Sequence, residues 1–393
     1  MKLARGGLAR ASLIAICVFT SIAARADDGN DPPNRYVVTN LTSDIPGVAP
    51  NTDPILRNAW GVAFTPAASP FWIADNASGC ATLYDGIGAK VALQVAIPLP
   101  DNSVPSTACQ PASAQTNPPP PTPAAPTGIV WNPTTNPTSA FLVPGTSIPA
   151  SFIFDTEDGT ISAWAGTIPD PSRAVIAFDN SASGAVYKGL ATGVNVHGVF
   201  LFATNFNAGT IDVFGPADSS SNGQYVLVTT DGGFTDPKIP AGFAPFGIQN
   251  INGALFVTYA KQKLPDKHDD EAGPGNGFVD VFDTDGHLLR RFASRGPLNS
   301  PWGVARASFA FARFSGDILV GNFGNGKINA FDSDGNFLAT LRDFNSKPIV
   351  IDGLWTVTLG GGRNSSSDTL YFTAGPNGET DGLFGTITPA SNQ

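Results

Sequence analysis

Charge is scarce in this chain of 393 residues: only 14% are Asp, Glu, Lys or Arg, and the 22 basic residues are outnumbered by 32 acidic ones, for a formal net charge of −10. Without a basic stripe, nucleic acid is excluded as a class of partner, because binding phosphate needs clustered Lys and Arg. Long apolar runs are also missing. No segment combines the length of a bilayer-spanning helix with freedom from Gly, Pro and charge, so no membrane insertion is expected. Helical periodicity is nearly absent, which excludes an all-α architecture. No G-x-S-x-G elbow, H-E-x-x-H pair, P-loop or Cys-His metal spacing occurs. Chemistries with a compact local signature are therefore disfavoured, while a site assembled from distant residues stays open.

Cysteine is sparse too, with three in all. The first 26 residues read as an export signal: Lys2, Arg5 and Arg10 form a basic start, residues 11–24 are apolar, and Ala24-Arg25-Ala26 offers a small-x-small cleavage site. Cys17 lies within this signal after Ile16, not after a small residue, so it is not read as a lipidation site. Removal of residues 1–26 leaves Cys80 and Cys109 for an oxidising compartment, where they are expected to form one disulfide. A secreted or periplasmic location without an anchor follows, with residues 27–393 as the mature part.

What is abundant is turn chemistry, with 43 Gly and 34 Pro. Short β-branched and aromatic runs bounded by Gly, Asn, Asp and Pro recur throughout, the signature of an all-β chain. A single unit repeats six times. Its first strand is led by Gly61, Gly128, Gly189, Gly247, Gly303 and Gly353 in turn. Second strands follow at 71–74, 152–154, 201–204, 255–258, 318–321 and 370–373. Third strands culminate in Tyr84, Trp164, Phe214, Phe282, Phe331 and Ile387. Radial repetition of a four-stranded sheet predicts a six-bladed β-propeller, with the third-strand aromatics packing blade on blade. The sixth unit runs out after Ile387, whereas residues 36–39 form a strand without a unit. This N-terminal strand is expected to close the last blade. Residues 112–126, rich in proline, read as a semi-rigid surface excursion.

In a propeller, the turns between second and third strands and the starts of the first strands share one face around the mouth of the central channel, where ligands usually bind. That turn places Asp or Asn four residues before Gly in four units, at Asp75, Asp155, Asn205 and Asn322. With Glu157 these are candidate ligands for Ca²⁺, a hard cation that takes oxygen donors. The competing structural reading is that Asp and Asn serve such turns by bonding their own backbone. The fourth unit breaks the pattern with a long loop, residues 261–276, that carries His268 among four acids and three lysines. His268, Asp269 and Asp270 are candidate catalytic groups, with His268 as general base, and Lys267 a candidate ligand contact. A solvated, charged surface loop is the alternative. Trp60, Trp302 and Trp355 lie in first strands near the axis, where they could form an aromatic rim for a sugar or ring, although core packing is the commoner use of Trp. His197 and His287 fall in turns on the opposite face and are not candidates.

Several motifs carry a resemblance: Leu41-Thr42-Ser43-Asp44-Ile45-Pro46-Gly47, Asn58-Ala59-Trp60-Gly61, Asp155-Thr156-Glu157-Asp158-Gly159-Thr160-Ile161, Lys267-His268-Asp269-Asp270, Gly273-Pro274-Gly275-Asn276-Gly277, Ser300-Pro301-Trp302-Gly303 and Tyr371-Phe372-Thr373-Ala374-Gly375-Pro376-Asn377. Together they resemble an exported bacterial family, similar to NHL-type propellers, to which no activity is assigned. The resemblance implies fold and export and assigns no catalytic residue. Some members of that family carry a C-terminal sorting tail; this chain ends at Gln393 without one, so surface anchoring is not expected.

Two functions are consistent with these observations. The first is a binding or scaffold propeller that holds a small molecule, glycan or protein at the channel mouth. The second is a Ca²⁺-dependent hydrolase or lactonase with His268 as base. Redox catalysis around a quinone comes last, because it needs basic residues at the mouth and the sequence offers only Lys261, Lys263 and Lys267 there.

Overall fold

The computed structural model describes residues 32–66, 69–112, 119–134, 141–217, 221 and 223–390. The chain divides into Met1–Pro33 and Asn34–Gln393, and the second unit is the subject here. The expected signal peptide, residues 1–26, lies outside the described residues, as do residues 113–118 of the proline-rich excursion. Six sheets follow one another along Asn34–Gln393, five with four antiparallel strands and one with five, whose outermost strand is parallel to its neighbour. The all-β, six-bladed propeller expected from the repeats is the observed fold.

Blade 1 comprises Ala59–Ala63, Phe71–Asp75, Cys80–Tyr84 and Lys90–Ala96. Blade 2 comprises Pro126–Trp131, Phe152–Thr156, Thr160–Trp164 and Val175–Asp179. In blade 3 the strands are Tyr187–Asn195, Gly198–Asn205, Thr210–Gly215 and Val226–Val228, and in blade 4 Phe243–Ile251, Ala254–Lys261, Phe278–Phe282 and Leu288–Ser294. Blade 5 is built from Pro301–Arg306, Ile318–Asn322, Ile328–Phe331 and Phe337–Thr340. Blade 6 takes Leu354–Leu359, Leu370–Ala374 and Leu383–Pro389 from the C-terminal end of the chain and Tyr36–Ser43 from near its start. Tyr36–Ser43 pairs antiparallel with Leu383–Pro389, from Tyr36 opposite Pro389 to Ser43 opposite Leu383. The two-residue strand Asn51–Thr52 adds to its outer edge.

The leading glycines have a steric cause. A Cβ on Gly61 would sit 2.5 Å from the Thr127 carbonyl oxygen, and one on Gly247 would sit 2.2 Å from that of Trp302. Inner strands of neighbouring blades thus touch backbone to backbone near the axis, which only glycine permits. The sixth unit departs from the expected register. Gly353 precedes its strand, at φ +65°, and the third position of Leu354–Leu359, where blades 1 and 5 have glycine, is Thr356. Its hydroxyl donates to the Trp60 carbonyl at 2.7 Å and so bonds across the interface instead of vacating it.

Farther out, aromatic rings fill the wedges between blades. Trp72 of blade 1 stacks on Phe152 of blade 2 with centroids 4.3 Å apart, and Phe178 of blade 2 meets Phe214 of blade 3 at 4.9 Å. Phe292 of blade 4 meets Phe331 of blade 5, Tyr36 meets Phe311, and Tyr84 of blade 1 meets Phe384 of blade 6. Cys80 and Cys109 form the expected disulfide and tie the loop after blade 1 to its third strand. No helix among the described residues is long and apolar enough to cross a membrane.

Candidate functional site

The three axial tryptophans come first because they set the floor of the mouth. Trp60 and Trp355 stack with centroids 3.4 Å apart, and Trp302 meets both edge-on at 5.9 and 5.8 Å. Phe323 stacks on the other side of Trp355 at 4.0 Å. Exposures of 1%, 9% and 1% for Trp60, Trp302 and Trp355 make them a plug in the channel and not the open rim for a sugar that the sequence suggested. The physical reason is mutual satisfaction: each ring has another aromatic partner, and two of the three indole N–H groups donate within the protein, Trp302 to the Lys188 carbonyl and Trp355 to Asn58 Oδ1.

On this plug sits Lys188, the second residue of the inner strand of blade 3, its ammonium 5.3 Å from the Trp60 ring centroid. Its side chain is only 3% exposed and pairs with Glu157, and the Asp269 carboxylate lies 3.9 Å from the same nitrogen. Burial alone would draw the pKa of Lys188 down, but Glu157, Asp269 and Glu379 outweigh it and leave the net shift upward. Lys188 is thus a fixed cation. Glu157 is held on its other oxygen by Asn76 Nδ2 at 2.8 Å, and Asn76 Oδ1 in turn accepts from Asn58. Asn58 also donates to Glu379 Oε2 at 3.0 Å. Burial is the main cause that pushes the Glu379 carboxyl above its ordinary range, and Lys188 opposes the shift.

His268 and Asp269 complete the cluster. The long loop of blade 4 is no loose decoration: Gln262 Nε2 donates to the Phe206 carbonyl of blade 3, the Lys263 amide to the Asp269 carbonyl, and the Gly273 amide to Asn299 Oδ1 ahead of blade 5. Folded back in this way, the loop sets His268 Nδ1 3.0 Å from Asp269 Oδ1 and 3.9 Å from Glu157 Oε1. The Asp269 hydrogen bond is the largest cause of a raised His268 pKa, against burial and Lys188. Both contacts use Nδ1, and Nε2 has no hydrogen-bond partner among the described residues. Glu157, His268 and Asp269 bring ligating atoms within 4.8 Å of one another.

The remaining candidates do not join them. Asp75 is fully buried and accepts from the Thr82 amide and hydroxyl of its own blade. Asp155 accepts from Thr127 and Gly128. Asn205 bonds Asp212 and the Val186 amide, and Asn322 bonds the Asn299 amide and the Pro297 carbonyl. Each fastens its own blade or the next, and of the five proposed Ca²⁺ ligands only Glu157 reaches the mouth cluster. Asp270 is half-buried, and burial is the main cause that pushes its carboxyl above the ordinary range; Lys267 is exposed.

Sequence reasoning missed Lys188, Asn58, Asn76 and Glu379. A signal for Lys188 existed: it is the one basic residue among those immediately preceding the leading glycines, where the other units carry Trp, Thr, Phe or Asp. It also adds a basic group at the mouth to the three lysines counted from sequence.

The fold and this cluster define a six-bladed β-propeller whose channel is plugged by aromatics beneath a polar, acid-rich mouth. The chain belongs to the same family as two uncharacterised proteins of Acanthamoeba polyphaga mimivirus. It is 31% identical to protein R648 over 358 residues, covering 90% of this chain and 79% of that one, and 30% identical to protein L690 over 363 residues, covering 90% and 87%. These relatives are viral and lend no support to the bacterial affiliation suggested by the motifs. No family model matches the sequence. Among solved structures, the chain is similar in fold to virginiamycin B lyase from Staphylococcus aureus (TM-score 0.48, 15% identity, 90% of this chain and 99% of that one). It is also similar to a gluconolactonase from Xanthomonas campestris (TM-score 0.44, 12% identity, 85% and 86%).

Proposed function

We propose that this protein is an exported ligand-binding propeller whose channel mouth takes a small, donor-rich molecule, a polyol or an amine. The observation that carries this reading is the charge balance of the cluster: the buried ammonium of Lys188 lies among the carboxylates of Glu157, Asp269 and Glu379. Burying such a pair costs desolvation that packing alone would avoid. The surplus of acceptors suits hydroxyl or ammonium donors. Titration calorimetry with glucosamine, glucose and glucuronate tests it, since the three share a ring and differ in charge. Binding should fall in that order and weaken in Asp269→Asn. Glucuronate binding as well as glucosamine, or no heat with any of the three, would sink the proposal.

The Ca²⁺-dependent hydrolase has less support, because Asp75, Asp155, Asn205 and Asn322 bond within their own blades and do not converge with Glu157, which pairs with the Lys188 ammonium. Added Ca²⁺ or EDTA should then leave the thermal midpoint unchanged, whereas a bound ion would raise it by mass action. A metal-free enzyme remains a second reading, favoured by the Asp269–His268 pair with Nε2 unused, the arrangement of an oriented general base.

A further inference from the structure

The face opposite the mouth carries a cavity of different chemistry. It occupies about 430 Å³ where the inner strands of blades 1 to 4 and 6 emerge, and it narrows into a pocket of about 60 Å³ whose wall includes Trp302 of the plug. Val62, Ile129, Leu190, Gln249 and Thr358 belong to both, so the two form one funnel that runs inward to Trp302. Trp131 and Val194 stand at its wider part. No charged side chain is among the described residues that line it, although the chain as a whole is strongly acidic.

The lip of this funnel holds apolar surface out in water. Val194 is 62% exposed and its neighbour Val196 is 92% exposed, in a hairpin of blade 3 whose first two strands, Tyr187–Asn195 and Gly198–Asn205, are longer than those of blades 1 and 2. Three hydrogen bonds to blade 4 keep the hairpin from folding away: Asn250 Nδ2 to the Thr192 carbonyl at 2.8 Å, Thr284 Oγ1 to the Val194 carbonyl at 3.1 Å, and Asn195 Nδ2 to Asp285 Oδ1 at 2.7 Å. A Cβ on Gly193 would lie 2.7 Å from Thr284 Cγ2, so the contact is close as well as bonded. Exposure of valine here is built into the fold, and exposed apolar surface beside an uncharged cavity marks a ligand site.

We infer that this funnel is a second binding site, independent of the mouth, for a small neutral molecule that is mainly apolar and carries one hydrogen-bonding group. Its volume falls within the roughly 300–1,000 Å³ over which proteins enclose such ligands. The polar group would meet the exposed side-chain amide of Gln249, which has no hydrogen-bonding partner among the described residues. A macromolecule does not fit a funnel of this size.

The probe is N-phenyl-1-naphthylamine, neutral and aromatic with a single N–H. One saturable site per chain is expected, with energy transfer from tryptophan to the bound probe. Val194→Glu and Gln249→Glu each place a carboxylate at the lip on a residue that is already exposed, so folding is retained. Each should weaken binding about tenfold or more, because the ligand would be desolvating a charge. Phe344→Ser removes an exposed aromatic elsewhere and should change nothing. Absence of saturable binding, or loss in Phe344→Ser with none in the lip variants, overturns the inference.

Discussion

Lys188 concentrates the mouth's chemistry in one side chain, and its removal tests that directly. Lys188→Met should destabilise the protein by about 3–5 kcal/mol, because Glu157 is left buried without its counter-charge. The double variant Lys188→Met with Glu157→Gln should be closer to wild type than the single one, as urea unfolding would show. His268 makes a second prediction at this scale. Its pKa is raised mainly by Asp269, so the stability this pair adds is complete below about 6.5, the ordinary histidine value, and fades as pH rises through the folded-state value. In Asp269→Asn, an NMR titration should show the His268 pKa falling. The His-Asp-Asp loop stood out in the sequence by its length and charge, and two of its three residues reach the cluster. Lys188 stood out only as the one basic residue before a leading glycine, and Asn58, Asn76 and Glu379 not at all, because their meaning lies in neighbours brought from other blades.

Strands and turns were far more legible than the site. Each blade obeys local rules, an alternation ended by Gly or Asn, and each interface imposes a glycine or an aromatic at a fixed place. Gly353 misled because the sixth inner strand meets the same crowding with Thr356. The Asp and Asn residues ending the second strands looked like a ring of ligands, yet they act as fasteners. Asp155 shows what this costs. Burial raises its pKa to about 7 against the bonds from Thr127 and Gly128. The folded state therefore favours the protonated acid, a contribution that is complete below the ordinary value of 3.8 and is lost as pH rises through about 7. Between about pH 4 and about pH 8, wild type should lose thermal stability relative to Asp155→Asn; parallel melting curves would show otherwise. The Cys80–Cys109 bridge spans a sequence separation of 29. Replacing both by Ser should remove roughly 3–4 kcal/mol on the loop-entropy account, measurable by denaturant titration beside the wild type with and without reductant.

At the scale of the whole molecule, closure by Tyr36–Ser43 joins the ends of a chain that is otherwise built of sequential neighbours. Deleting residues 34–43 would leave Leu383–Pro389 as an open edge and strip Tyr36 from its contact with Phe311. Such a variant should lose the single cooperative melting transition and aggregate, observable by calorimetry and light scattering. The tryptophan plug separates the polar mouth from the apolar funnel, so the two faces can be occupied without competing for space. Closure also fixes how the molecule answers to mechanical load. Tyr36 and Pro389 lie opposite each other at one end of an antiparallel pair, so tension applied between the chain's two ends strains that pair first and then its neighbours in succession. The propeller should accordingly unzip at low force along Tyr36–Ser43, while a pull that shears the same strand lengthwise loads all its bonds together and meets far greater resistance.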